Sequence, residues 1–214
     1  METVLPMAGI GLALGWPIEW TIQRFPRGGG TIPSRRRLAV LAAVTACLFG
    51  LLAARIGIHP QLVPAMLLTA LVVPAAAIDL HHRIIPNAIN LPGAAIVYVA
   101  AVAAQPDRWL ELLAGGLGGL LFLGVAWRVS PAGMGLGDVK MALMIGLALG
   151  ASTLVALFAA FVLALLPSLA VLARHGLRSG RKVGLPFGPF LAAGAVVGLL
   201  WGPQLLDWYV NHGG

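Results

Sequence analysis

Gly133-Met134-Gly135-Leu136-Gly137-Asp138-Val139-Lys140 places an acidic residue in a glycine-rich turn between two long apolar runs. Whether those runs pack in a soluble core or cross a bilayer decides the fold, and composition answers the question. Of 214 residues, 59% are hydrophobic and 10% charged, against about 25% charged in an ordinary soluble domain. Apolar spans of about 20 residues recur along nearly the whole chain, which leaves no room for a separate soluble domain. The runs are continuous and rich in Leu, Ala and Gly, whereas membrane β-strands alternate polar with apolar. The expected fold is one all-α, polytopic membrane helical bundle over residues 1–214, with about eight transmembrane helices and both termini outside.

The basic residues supply the orientation. Arg24, Arg27, Arg35, Arg36 and Arg37 crowd the short loop 23–37, which the positive-inside rule makes cytoplasmic. Parity then gives spans over residues 4–22, 38–54, 61–78, 87–104 and 110–129. Residues 139–173 form two further crossings with a turn at Gly150-Ala151-Ser152, and 185–210 the last. Pro17 is expected to bend the inner end of the first span, and Pro86 suits the start of a helix. Trp201, Trp208 and Tyr209 suit the outer interfacial belt. Only Arg55 and Arg108, among the 14 Lys and Arg, fall on the outer side. The net charge of +7 therefore reads as topology, and nucleic acid is not an expected partner.

In this scheme Asp79 and Asp138 emerge on the same, cytoplasmic side, in loops 79–87 and 130–140. Charged residues at membrane depth read by default as parts of a functional site, although a lone acid at the end of a transmembrane helix is more often an interfacial or capping residue than a catalyst. Two carboxylates brought together in a low-dielectric site tend to share one proton. Such a pair can activate water, one member taking a proton from it while the other polarises a carbonyl. Gly135 and Gly137 would let an extended substrate backbone approach and permit backbone angles other residues resist. Lys140 is a topology signal that can also bias the proton balance of Asp138. His81 and His82 are expected to be solvated rather than metal ligands, so no metal is assigned. Cys47 is the single cysteine; it is expected to pack ordinarily, and no disulfide or cysteine-rich zinc site can form within the chain.

Asp79 with Ile85-Pro86-Asn87, then the glycine-rich stretch ending in Asp138 and Lys140, then Pro186-Phe187-Gly188-Pro189-Phe190, resembles the type IV prepilin peptidases, membrane aspartyl proteases of the Gly-x-Gly-Asp kind. The resemblance runs from about Pro60 to Trp201. Presenilin and signal peptide peptidase share the short motif, but here no Tyr-Asp marks the first aspartate and no Pro-Ala-Leu follows the second. The resemblance implies a bacterial inner-membrane endopeptidase that removes the basic leader of prepilins or pseudopilins at the cytoplasmic face, with Asp79 and Asp138 as the catalytic pair. Its implied partners are that substrate and membrane lipid. Longer members resemble this chain in their protease half but carry a large first cytoplasmic loop, commonly with paired cysteines that bind zinc. They also N-methylate the new amino terminus with S-adenosylmethionine. The short loop 23–37 has no cysteine, so methylation is not expected and no cofactor is assigned. The competing classes are a proton-coupled transporter with buried carboxylates, which would favour paired inverted repeats, and a non-catalytic component of a pilus or secretion assembly.

Overall fold

The computed structural model describes residues 4–13, 35–131, 134–180 and 186–212. Most of the basic loop 23–37, the Pro17 bend, Gly133, Arg181, Lys182 and both chain ends lie outside the described residues. Among the described residues eight α-helices follow one another: α1 (Val4–Ala13), α2 (Arg35–Ile56), α3 (Leu62–His82), α4 (Asn87–Ala104), α5 (Trp109–Val129), α6 (Leu136–Leu149), α7 (Thr153–Gly180) and α8 (Gly188–His212). Short 3-10 turns at Pro106–Arg108 and Gly150–Ser152 lead into α5 and α7. The protein is a multi-pass helical bundle. Six apolar stretches among the described residues are long enough to cross a membrane, and the fifth, Leu136–Val171, contains α6 and most of α7.

Apolar content makes these segments helices, because a chain in lipid must satisfy its own backbone groups. Glycine and proline punctuate them. Gly57, with φ 73°, opens the turn between α2 and α3, and Pro86 precedes the first residue of α4. Gly150, with φ 59°, reverses the chain after α6. There the Glu111 carboxylate takes the backbone N–H of Ala151 and is itself held by the Arg108 guanidinium.

α6 is the hub. At 14 residues it is about 21 Å long, shorter than its neighbours, and Met141, Ala142, Met144 and Ile145 are fully buried. It packs against α3, α4, α5, α7 and α8. The large apolar residues left exposed, among them Leu121, Phe158, Leu166 and Val210, lie on the outside of the bundle, as expected for a lipid-facing surface. Cys47 is also exposed there, so it is not part of the interior packing expected from its apolar setting. Trp208 and Tyr209 are exposed near the end of α8, and Trp201 is exposed midway along it.

The tightest crossing is α5 on α6. A Cβ on Gly146 would collide with the carbonyl of Gly115 and fall 2.6 Å from Gly116 Cα. Backbone is all that separates the helices there. Gly146→Ala should therefore force α5 and α6 apart and destabilise the bundle by about 2 kcal/mol or more, as overpacking in a dense core does. The check is thermal unfolding in detergent. Gly118, whose Cβ would meet nothing within 4 Å, is the control and should tolerate Ala.

Candidate active site

Helix direction brings the chemistry together. α3 runs toward one end of the bundle, α4, α6 and α8 start there, and α5 and α7 finish there. Asp79 lies in the last turn of α3 and Asp138 in the first turn of α6. Both belong to helices rather than to the connecting loops 79–87 and 130–140 expected from sequence. The reason is that each helix runs past its hydropathic boundary: α3 continues to His82, and α6 begins at Leu136, because the turn around Asp138 caps itself.

That cap is visible in the hydrogen bonds. The Gly135 N–H donates to Asp138 Oδ2 at 3.0 Å, and the Asp138 N–H donates to the Gly135 carbonyl at 3.1 Å. This closes the first turn in the manner of a capping box. The capping role uses one carboxylate oxygen. The other, Oδ1, is buried and has no hydrogen-bond partner among the described residues. Asp138 is 6% exposed, so this acceptor is held away from solvent at some cost.

Asp79, 5% exposed, sits at the unfavourable end of its own helix, where the macrodipole opposes a negative charge. The start of α8 offsets this. The Gly188 N–H donates to Asp79 Oδ2 at 2.9 Å; it is one of the first-turn N–H groups that a helix cannot satisfy internally. A Cβ on Gly188 would lie 2.8 Å from that same oxygen. Glycine is what lets the α8 backbone reach the carboxylate. Pro189, next in line, gives up an N–H that would have been unpaired in any case. The Arg83 charge also reaches Asp79, from a residue that ends α3 in the left-handed region at φ 54°. Asp79 and Asp138 thus lie at the same end of the bundle, one closing α3 and the other opening α6.

The supporting residues are arranged differently from the sequence expectation. Gly135 has φ −82° and ψ 148°, angles open to any residue, so backbone freedom is not its contribution. Gly137 is required by proximity: a Cβ there would lie 2.9 Å from Ile85 Cβ. Lys140 donates from Nζ to Asn87 Oδ1 at 2.8 Å, tying α6 to the start of α4. His81 Nδ1 is 2.8 Å from the Ala77 carbonyl one turn back, and its ring lies 6.4 Å from that of His82. No group of three or more His, Cys, Asp or Glu gathers among the described residues.

Sequence reasoning did not single out Gly188 or Asn90 as site residues. Gly188 stood in the quoted Pro186–Phe190 stretch, and the prolines around it were the available sign of a helix start at which an N–H is free. Asn90 is 0% exposed and donates from Nδ2 to the Gly137 carbonyl at 2.9 Å. Its available signal was an amide inside an otherwise apolar span.

Comparison with known proteins identifies the family. The profile of the type IV leader peptidase family matches residues 66–169, which include both aspartates. The chain is similar to the prepilin leader peptidase/N-methyltransferase of Bacillus subtilis, 36% identical over 170 residues covering 78% of this chain and 67% of that protein. It is also similar to the proteins of the same description from Pseudomonas aeruginosa, at 30% over 84% of this chain and 63% of the relative, and Xanthomonas campestris, at 28% over 75% and 57%. The match thus leaves about a third or more of each relative's length unaligned. No solved structure matches the chain significantly. With 36% identity across two thirds of the Bacillus subtilis protein and a family profile that includes both aspartates, the chain belongs to the type IV leader peptidase family.

Proposed function

We propose that this protein is an aspartic endopeptidase that cleaves the basic leader from type IV prepilins or pseudopilins, with Asp79 and Asp138 as its catalytic pair. The observation that carries the reading is the convergence of these two buried acids at one end of the bundle. Each is held through a single oxygen by a backbone N–H from a helix start. That leaves Asp138 Oδ1, buried as it is, without a partner among the described residues, an acceptor for the proton chemistry once water and substrate enter.

Between them the two groups carry one proton. The ionised carboxylate takes a proton from water as the water oxygen attacks the scissile carbonyl carbon, and the protonated one donates to the carbonyl oxygen. Collapse of the tetrahedral adduct returns a proton to the departing amine, and no covalent enzyme intermediate forms. Gly135, Gly137 and Lys140 shape the turn that presents Asp138.

The site end also carries Arg83, Arg128, Lys140 and Arg174, while Arg55 and Arg108 lie at the other end, so the positive-inside rule puts the pair at the cytoplasmic face of a bacterial inner membrane. Lipid surrounds the apolar exterior. The N-methyltransferase activity in the relatives' names is not carried over. The test is co-expression with candidate prepilins, following loss of the leader by mass spectrometry. Cleavage at the leader boundary is the expected result. An intact leader with every candidate, together with proton-gradient-driven uptake in proteoliposomes, would replace the peptidase by a transporter.

A further inference from the structure

Asn90 is the one polar side chain that α4 buries against α6. Its Nδ2 donates to the carbonyl of Gly137, the residue just before Asp138. That carbonyl already faces along the axis of α6, so the amide bond is a lateral second hold on the same peptide unit. One turn earlier on α4, Asn87 takes the Lys140 ammonium. The start of α4 thus grips the first turn of α6 at two points, and Ile85 closes against Gly137 from the preceding segment.

Packing alone does not account for Asn90. Its Oδ1 is buried without a hydrogen-bond partner among the described residues, which is unfavourable for an amide in a low-dielectric interior. A leucine of nearly the same shape would avoid that cost.

We infer that Asn90 is a positioning residue for the reaction: by fixing the Gly137 peptide it sets the rotation of the first turn of α6 and so the placement of the Asp138 carboxyl relative to Asp79. The inference rests on the proposed catalytic pair. Among the described residues the Asp138 carboxyl hydrogen-bonds only within its own cap, and that cap turns with the helix. Of the two hydrogen bonds that refer the turn to α4, Asn90's is the more buried and the one made to the peptide next to Asp138.

The experiment uses the full chain, purified in detergent, on a prepilin bearing its basic leader, with Asn90→Leu and the smaller Asn90→Ser. The expected result is a fall in kcat on the order of 100-fold, the scale of an ångström-level misplacement of a catalytic group, with KM changed by less than about threefold. Amide hydrogen exchange should accelerate over residues 136–140 and stay unchanged in α8. A kcat within about twofold of the native value in either folded variant overturns the inference. So does a raised KM at unchanged kcat, which would make Asn90 a substrate-binding group. Activity losses that only track the amount of folded protein would also overturn it. Asp79→Asn and Asp138→Asn in the same assay separate the two readings. If they are inactive while the Asn90 variants cut normally, only the Asn90 role falls; if they cut, the catalytic pair falls with it.

Discussion

Asp138→Asn and Asp79→Asn should each leave the prepilin uncut, with kcat lower by about 10³-fold or more, the upper range of what positioned acid–base groups contribute. The amide is the informative replacement because it matches the carboxylate in shape and keeps an acceptor oxygen. In the first variant the new amide oxygen can still take the Gly135 N–H, and in the second it can still take that of Gly188. Folding should therefore change by no more than about 1 kcal/mol, the scale of one weakened hydrogen bond. What is lost is the ability to exchange a proton. Because the two acids act as a unit, the double variant should be no slower than either single one. The measurement is leader removal over time by mass spectrometry, beside a thermal unfolding curve for each variant. Normal cutting by either variant would remove that aspartate from the chemistry.

Gly188→Ala should produce the second large effect, and for a reason hydropathy cannot register. The added Cβ would lie 2.8 Å from Asp79 Oδ2 and 3.1 Å from Asp79 Cβ, closer than carbon and oxygen tolerate without movement. Either the carboxylate swings away or the start of α8 backs off, and both break the 2.9 Å bond from the Gly188 N–H. A displacement of this kind costs on the order of 10- to 100-fold in kcat. The substitution sits at a helix start, so the bundle should remain assembled. Gly118→Ala, at an exposed glycine of α5 with open space around its Cβ position, should cut at the native rate. Full activity in Gly188→Ala would mean that the contact with α8 is irrelevant to the reaction.

The helices were legible because lipid imposes a one-dimensional rule: an apolar run must satisfy its own backbone. α4 spans Asn87–Ala104, as Pro86 and the apolar run after it indicated, and the chain reverses at Gly150–Ser152 where the long run needed a turn. Asp79 and Asp138 stood out by the same rule, since a carboxylate at the edge of a span is rare, and the family resemblance implied them as the catalytic pair. The role given to the glycines was less accurate. Gly135 adopts ordinary angles, and Gly137 is small because Ile85 crowds it. Lys140, read as a topology signal that can also bias Asp138, in addition bonds Asn87, a contact no local pattern announced.

Taken alone, the sequence determined that this is a membrane helical bundle, where its helices turn, and that two acids lie at the edges of apolar runs on one side, because hydropathy and charge act locally along the chain. Only the tertiary structure decided that Gly188 reaches Asp79 and that Asn90 grips the peptide before Asp138. Those contacts join residues 109 and 47 positions apart, and they depend on how closely α3, α8, α4 and α6 pack, which is set by side-chain volumes in three dimensions rather than by any local pattern.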